Sequence, residues 1–118
     1  MTYVDGFLCP VKPGRKADYI AMAKAAAPLF LEHGALRVVE TWNDDVKAGT
    51  TNDMRTAVLA EEGEDVVFSW VEWPDRAARD KGWEKMMADE HMKGPDDNPM
   101  AGARLIYGGF KVILDTAD

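Results

Sequence analysis

The stretch Arg104-Leu-Ile-Tyr-Gly-Gly-Phe-Lys-Val-Ile-Leu114 sets the tightest limit on what this chain can fold into. Its β-branched and aromatic residues favour a pleated strand. Both of its alternating faces are apolar, so both need cover. It also places Gly108 beside Gly109, where a strand normally packs side chains. A chain of 118 residues forms one domain, 1–118, with a modest core. Such a domain covers one face of a sheet with its own helices. The other face then calls for a second copy of the chain.

The remaining elements follow from periodicity. Tyr3 to Val11 reads as a first strand, with Tyr3, Asp5, Phe7 and Cys9 on one parity and Val4, Gly6 and Leu8 on the other. Arg15 to His33 reads as a helix, because Tyr19, Met22, Ala23, Ala26, Ala27 and Phe30 recur at steps of three and four. Pro28 interrupts it, but the stripe continues to Phe30, so the helix is expected to persist with a bend. Gly34 suits a left-handed C-cap, and His33 in the last turn suits the helix dipole. Ala35 to Asn43 reads as a second strand and Asp53 to Val58 as a short helix capped by Asn52 or Asp53, or else a brief strand, with an acidic solvated turn at 61–65. Val66 to Trp73 is a third strand. Pro74 and Asp75 open a second long helix, whose stripe is Ala78, Gly82, Trp83, Met86 and Met87. The small Ala78 and Gly82 would let it lie close to a sheet. Residues 89–102, with two prolines and two glycines, read as a long irregular connection.

The order strand, helix, strand, strand, helix, strand predicts an α+β, ferredoxin-like βαββαβ fold. Right-handed crossovers place both long helices on one face of a four-stranded antiparallel sheet. Apolarity assigns Val4, Gly6, Leu8, Val67, Ser69, Val71, Ile106, Gly108, Phe110 and Val112 to the helix side, with Gly6 facing Gly108. The opposite face then collects Tyr3, Asp5, Phe7, Arg37, Thr41, Phe68, Trp70, Glu72, Tyr107 and Lys111. That face is too aromatic to stay in water and too charged to be buried without partners. Two copies meeting through it, around a partly polar cavity, satisfy both demands. A homodimer is expected. The second strand fits this division poorly, since parity puts Glu40 and Trp42 on the helix side.

Composition excludes several functions. Fourteen basic residues are scattered among twenty-one acidic ones, for a net charge of −7, so no nucleic-acid surface is expected. No apolar run is long enough for a membrane span, and no secretory signal opens the chain, so a cytoplasmic protein is expected. The single cysteine, Cys9, fits that setting and reads as a small buried hydrophobe. The two histidines, His33 and His91, lie far apart in sequence. No metal cluster, phosphate loop or dinucleotide fingerprint is apparent, and no cofactor is expected.

Several stretches together resemble the YbaA-like family of small, uncharacterised bacterial proteins, in the dimeric α/β-barrel superfamily. They are Tyr3-Val-Asp-Gly-Phe7, Ala26-Ala-Pro-Leu-Phe30, Gly34-Ala-Leu-Arg-Val-Val-Glu40, Val66-Val-Phe-Ser-Trp70, Met86-Met-Ala-Asp89 and Ile106-Tyr-Gly-Gly-Phe110. The resemblance spans residues 3 to about 113 and implies the same ferredoxin-like fold and dimer. It implies no reaction of its own. The wider superfamily includes cofactor-free monooxygenases, small-molecule isomerases and haem enzymes, a link that rests on fold.

Two functional readings follow. In the first, the chain is a cofactor-independent monooxygenase or isomerase acting on an apolar or aromatic metabolite. Asp5 is the candidate base, and Arg37 and Tyr107 would steady a developing enolate. Tyr3, Phe68, Trp70, Glu72 and His91 would line the pocket. Asp5 equally reads as the partner of Arg37 or Tyr107 in a structural contact. In the second reading, the chain is a non-catalytic dimeric module that binds a small molecule or a protein.

Overall fold

The computed structural model describes residues 2–117; the end residues 1 and 118 of the expected domain lie outside it. Four strands, β1 (Tyr3–Val11), β2 (Arg37–Glu40), β3 (Asp65–Trp73) and β4 (Ile106–Lys111), form one antiparallel sheet in the order β2-β3-β1-β4. Three α-helices join them: α1 (Lys16–Glu32), the single-turn α2 (Met54–Ala57) and α3 (Arg76–Ala88). This is the expected ferredoxin-like arrangement, with β1 and β3 central. Helix α1 runs unbroken through Pro28. Gly34 follows with a φ of 108°, the left-handed conformation expected at that end. Asp53 caps α2 by accepting from Thr56 N–H, and Asp75 caps α3 by accepting from Ala78 N–H.

Strand β2 is shorter than its sequence suggests. Its ladder stops at Glu40, although Asn43 regains β3 through its side chain, which accepts from Val66 N–H at 2.6 Å. Strand β4 is also trimmed, leaving Ile113 and Leu114 beyond it and exposed. The connection after α3 is not wholly irregular. It holds 3-10 turns at Glu90–Met92 and Gly102–Arg104, and an isolated bridge pairs Val11 with Met100. Arg104 grips Glu64 through two bonds of 2.6 and 2.7 Å, and this hydrogen bonding holds the Glu64 carboxyl down at about 2.

Register decides the two faces, and here the expectation needs correction. Asp5 pairs with Val71 and Gly109, while Phe7 pairs with Ser69 and Tyr107. Directly paired residues share a face. Tyr3, Asp5, Phe7 and Cys9 therefore lie on the helix side with Val67, Ser69, Val71 and Trp73, where the core forms against Tyr19, Phe30, Trp83 and Met86. Val4, Gly6 and Leu8 turn outward with Phe68, Trp70 and Glu72 and with Ile106, Gly108 and Phe110. Gly6 does face Gly108, as expected, but on the outer side, where the Phe110 ring lies over both. The close approach of a helix falls elsewhere, at Gly82, which packs against Trp73.

Candidate functional site

The expected cluster of Asp5, Arg37 and Tyr107 does not assemble. Asp5 is 3% exposed and belongs to a closed ionic group under α3. Arg79 donates to it from Nε at 3.0 Å, and Arg79 Nη2 lies 2.9 Å from Oδ1. Trp73 and Trp83 donate their indole N–H groups to Oδ2 at 3.0 and 2.8 Å. The Arg79 guanidinium also sits 5.2 Å from the Tyr3 ring centroid. Both Asp5 oxygens are thus taken up by donors from α3 and β3. Arg37 lies on edge strand β2, exposed, 3.6 Å from Glu72 on the outer face. Tyr107 is on edge strand β4, stacked on Phe7 yet mostly in water. Tyr3 is buried in the core rather than lining a pocket. Phe68 and Glu72 are outer-face residues; Trp70 shares their parity and donates to Glu72 at 3.0 Å, yet it also contributes to the lining of the helix-side cavity.

The concave site lies on the helix side instead. Alanines on the inner stripe of α1 are too small to reach the sheet, and a cavity of about 380 Å³ remains. Ala23, Ala26 and Phe30 form its roof, and Phe7, Val38, Val67 and Val71 form its floor. The segment from His91 to Met100 closes one side, so His91 stands at the cavity rim with its ring exposed. These walls are apolar. A small group of polar atoms interrupts them: Glu40 of β2, Tyr19 of α1 and Ser69 of β3.

Tyr19 donates its hydroxyl proton to Glu40 Oε1 at 2.5 Å. Burial pushes the Glu40 carboxyl above its usual range, opposed in part by hydrogen bonds from Tyr19 and Ser69. Burial and the neighbouring Glu40 push the Tyr19 phenol up as well, so it stays a proton donor. Beyond this pair a second hollow of about 370 Å³ opens between α1 and β2, flanked by Lys16 and Trp42. Tyr19, Ala23, Val38 and Glu40 belong to both linings and form the wall between them. Glu40 is an exposed residue of the sheet edge, and its carboxylate stands between the two hollows. Cys9 also lines the inner cavity, but burial pushes its thiol up to about 11, so it behaves as the expected hydrophobe rather than a nucleophile.

The Glu40–Tyr19 pair was hidden from sequence reasoning. One signal existed: Glu40 falls on the helix side by strand parity, where an acid needs a partner. Tyr19 sat unremarked within an apolar stripe. The fold also brings together residues whose spacing suggested no metal cluster. Glu32, His33 and Asp89 offer ligand atoms within 4.8 Å of one another. Among the described residues, no helix is long and apolar enough to cross a membrane.

A four-stranded antiparallel sheet with a small-molecule-sized cavity beneath its helices defines a ferredoxin-like α+β domain. The chain belongs to the family described as "Protein of unknown function (DUF1428)", whose sequence pattern matches residues 2–102. It is 52% identical over 116 residues to the uncharacterized protein YbaA of Escherichia coli K12, covering 98% of this chain and 99% of that one. YbaA of Shigella flexneri matches to the same extent. The expected family resemblance is borne out. A solved structure from Bacillus cereus, provisionally assigned as an antibiotic biosynthesis monooxygenase, shares the fold with a TM-score of 0.61. It covers 99% of this chain and 96% of its own at 10% identity, a likeness of fold alone.

Proposed function

We propose that this chain is a small cofactor-independent enzyme, a monooxygenase or isomerase, acting on an apolar or aromatic metabolite held between α1 and the sheet. The observation that carries this reading is the Glu40–Tyr19 pair in the wall of a mostly apolar cavity. A carboxylate with a raised pKa, set in apolar surroundings, is suited to take a proton from a phenol or an activated C–H. Tyr19 and Ser69 supply donors for the oxyanion that then develops. Returning the proton to another carbon completes an isomerisation. In the oxygenase case, the substrate anion itself reduces dioxygen. An activated CH2 becomes C=O, and the second oxygen atom leaves as water. The monooxygenase-like fold of the Bacillus cereus structure supports this choice of chemistry.

The test is a screen of phenols and enolisable ketones, followed by oxygen uptake and product mass. Glu40→Gln is expected to lower kcat by about 10²–10⁴-fold while ligand-induced thermal shifts persist. The base must be ionised to act. Turnover should therefore rise with pH through a pKa above 4.5, the ordinary value of this carboxyl. Full activity in Glu40→Gln would sink the catalytic reading. Thermal shifts without any turnover would favour the alternative, a non-catalytic binding module.

The second copy of the chain belongs to the same proposal. The outer sheet face exposes Phe68, Ile106 and Phe110, the last at 64%. Two such faces packed sheet to sheet hide this apolar surface, and a two-fold axis makes the contact self-complementary. Of the charged residues first expected there, Asp5 and Lys111 lie on the other face, and Arg37 and Glu72 remain as a pair 3.6 Å apart. Phe110→Lys is expected to convert a dimer to a monomer in sedimentation velocity at micromolar concentration. An unchanged sedimentation coefficient would rule this face out.

A further inference from the structure

His33 and His91, the chain's two histidines, stand far apart in sequence and converge on one carboxylate. His33 Nε2 lies 2.9 Å from Asp89 Oδ2, and His91 Nδ1 lies 3.0 Å from Asp89 Oδ1. Glu32, one residue before His33, brings a second carboxylate, with its ligand atom within 4.8 Å of those of His33 and Asp89. The group sits where the C-terminal end of α1, the C-terminal end of α3 and the 3-10 turn Glu90–Met92 meet.

We propose that Glu32, His33, Asp89 and His91 form a divalent-metal site, suited to Zn2+ or a similar first-row ion that accepts mixed nitrogen and oxygen donors. The spacing fits the chemistry. With metal–ligand bonds of about 2.1 Å, the donors of a tetrahedral site stand about 3.4 Å apart. The His33–Asp89 separation of 2.9 Å and the 4.8 Å limit that includes Glu32 bracket that value. The ion takes the place of the hydrogen bond between imidazole and carboxylate. Two carboxylates neutralise its charge, and two neutral imidazoles supply the softer donors. His33 and Asp89 are each 16% exposed, so they are held by their surroundings. His91 is 75% exposed and free to turn toward the ion. Occupancy would tie the end of α1 to Asp89–Met92, the root of the segment that closes the cavity. The ion thus acts as a clip on that cover. The site stands independently of the reaction assigned to Glu40.

Tag-free protein, stripped with EDTA, is titrated with Zn2+ alone and with Co2+ alone. Calorimetry is expected to show one ion per chain with micromolar or tighter affinity, and the melting temperature is expected to rise with metal. His33→Gln keeps an N–H donor toward Asp89 but removes the imidazole. It should weaken binding at least 10-fold, while its melting temperature in EDTA stays near that of the parent. His91→Ala alters an exposed side chain and should weaken binding by a similar factor without harming the fold. Absence of stoichiometric binding of either ion up to about 1 mM overturns the proposal, since affinities weaker than that lie near −4 kcal/mol. So does unchanged affinity in both variants.

Discussion

Asp5→Ala is expected to cost about 3–5 kcal/mol of folding stability, the size found when one partner of a buried ion pair is removed. Urea denaturation checks it. The loss has three sources on one side chain. The Arg79 guanidinium, 21% exposed, would keep its charge with its carboxylate gone. The indole N–H of Trp73, on a residue with no exposed surface, would lose its acceptor. The N–H of Trp83 would lose the same oxygen. A buried donor left alone costs about 1–3 kcal/mol. Asp5→Leu combined with Arg79→Met should recover part of the loss, because an apolar pair leaves no orphan charge. A loss under about 1 kcal/mol in Asp5→Ala would show that the group is not closed as described. The result also separates two roles. A fall in turnover in Asp5 variants should track unfolding, whereas Glu40→Gln should lose turnover in a folded protein.

Gly82→Ala is expected to destabilise by about 3 kcal/mol, the upper range of overpacking. Helix propensity alone predicts the reverse, since Ala is favoured over Gly by about 1 kcal/mol inside a helix. Space decides the sign. A methyl at Gly82 would overlap the Trp73 ring, standing 2.7 Å from its Cη2 atom, and would lie 2.8 Å from the His33 carbonyl oxygen. Trp73 is fully buried and the carbonyl is backbone, so neither can step aside cheaply. Thermal denaturation should show a fall of about 10 °C for a domain of this size. A raised melting temperature would mean that α3 does not approach the sheet this closely.

The close approach at Gly82 was legible in the sequence, because a small pair on an apolar helix stripe has few other uses. So were the order of the long elements and the persistence of α1 through Pro28. These are local properties, written within a few residues. The faces of β1 were not legible. Its two parities, Tyr3-Asp5-Phe7-Cys9 and Val4-Gly6-Leu8, compete, and apolarity favours the second for the interior. The interior took the first because α3 brings Arg79 and Trp83 to Asp5 from more than seventy residues away. Three donors from distant segments overturn a hydropathy argument that sees one strand at a time. The cavity was hidden for a related reason. Its floor residues were partly assigned to the right face, but its depth depends on how far α1 stands from the sheet. The metal-ligating group likewise exists only through the meeting of two helix ends.

The hydrogen bond from Tyr19 to Glu40 is also a partition between two rooms. The inner room lies under the helix; the outer one opens at the edge of the sheet. A guest that claims the Tyr19 hydroxyl releases the latch by the same act that frees the Glu40 carboxylate. On the function proposed above, a guest too long for the inner room would reach the β2 edge only where this hydrogen bond opens.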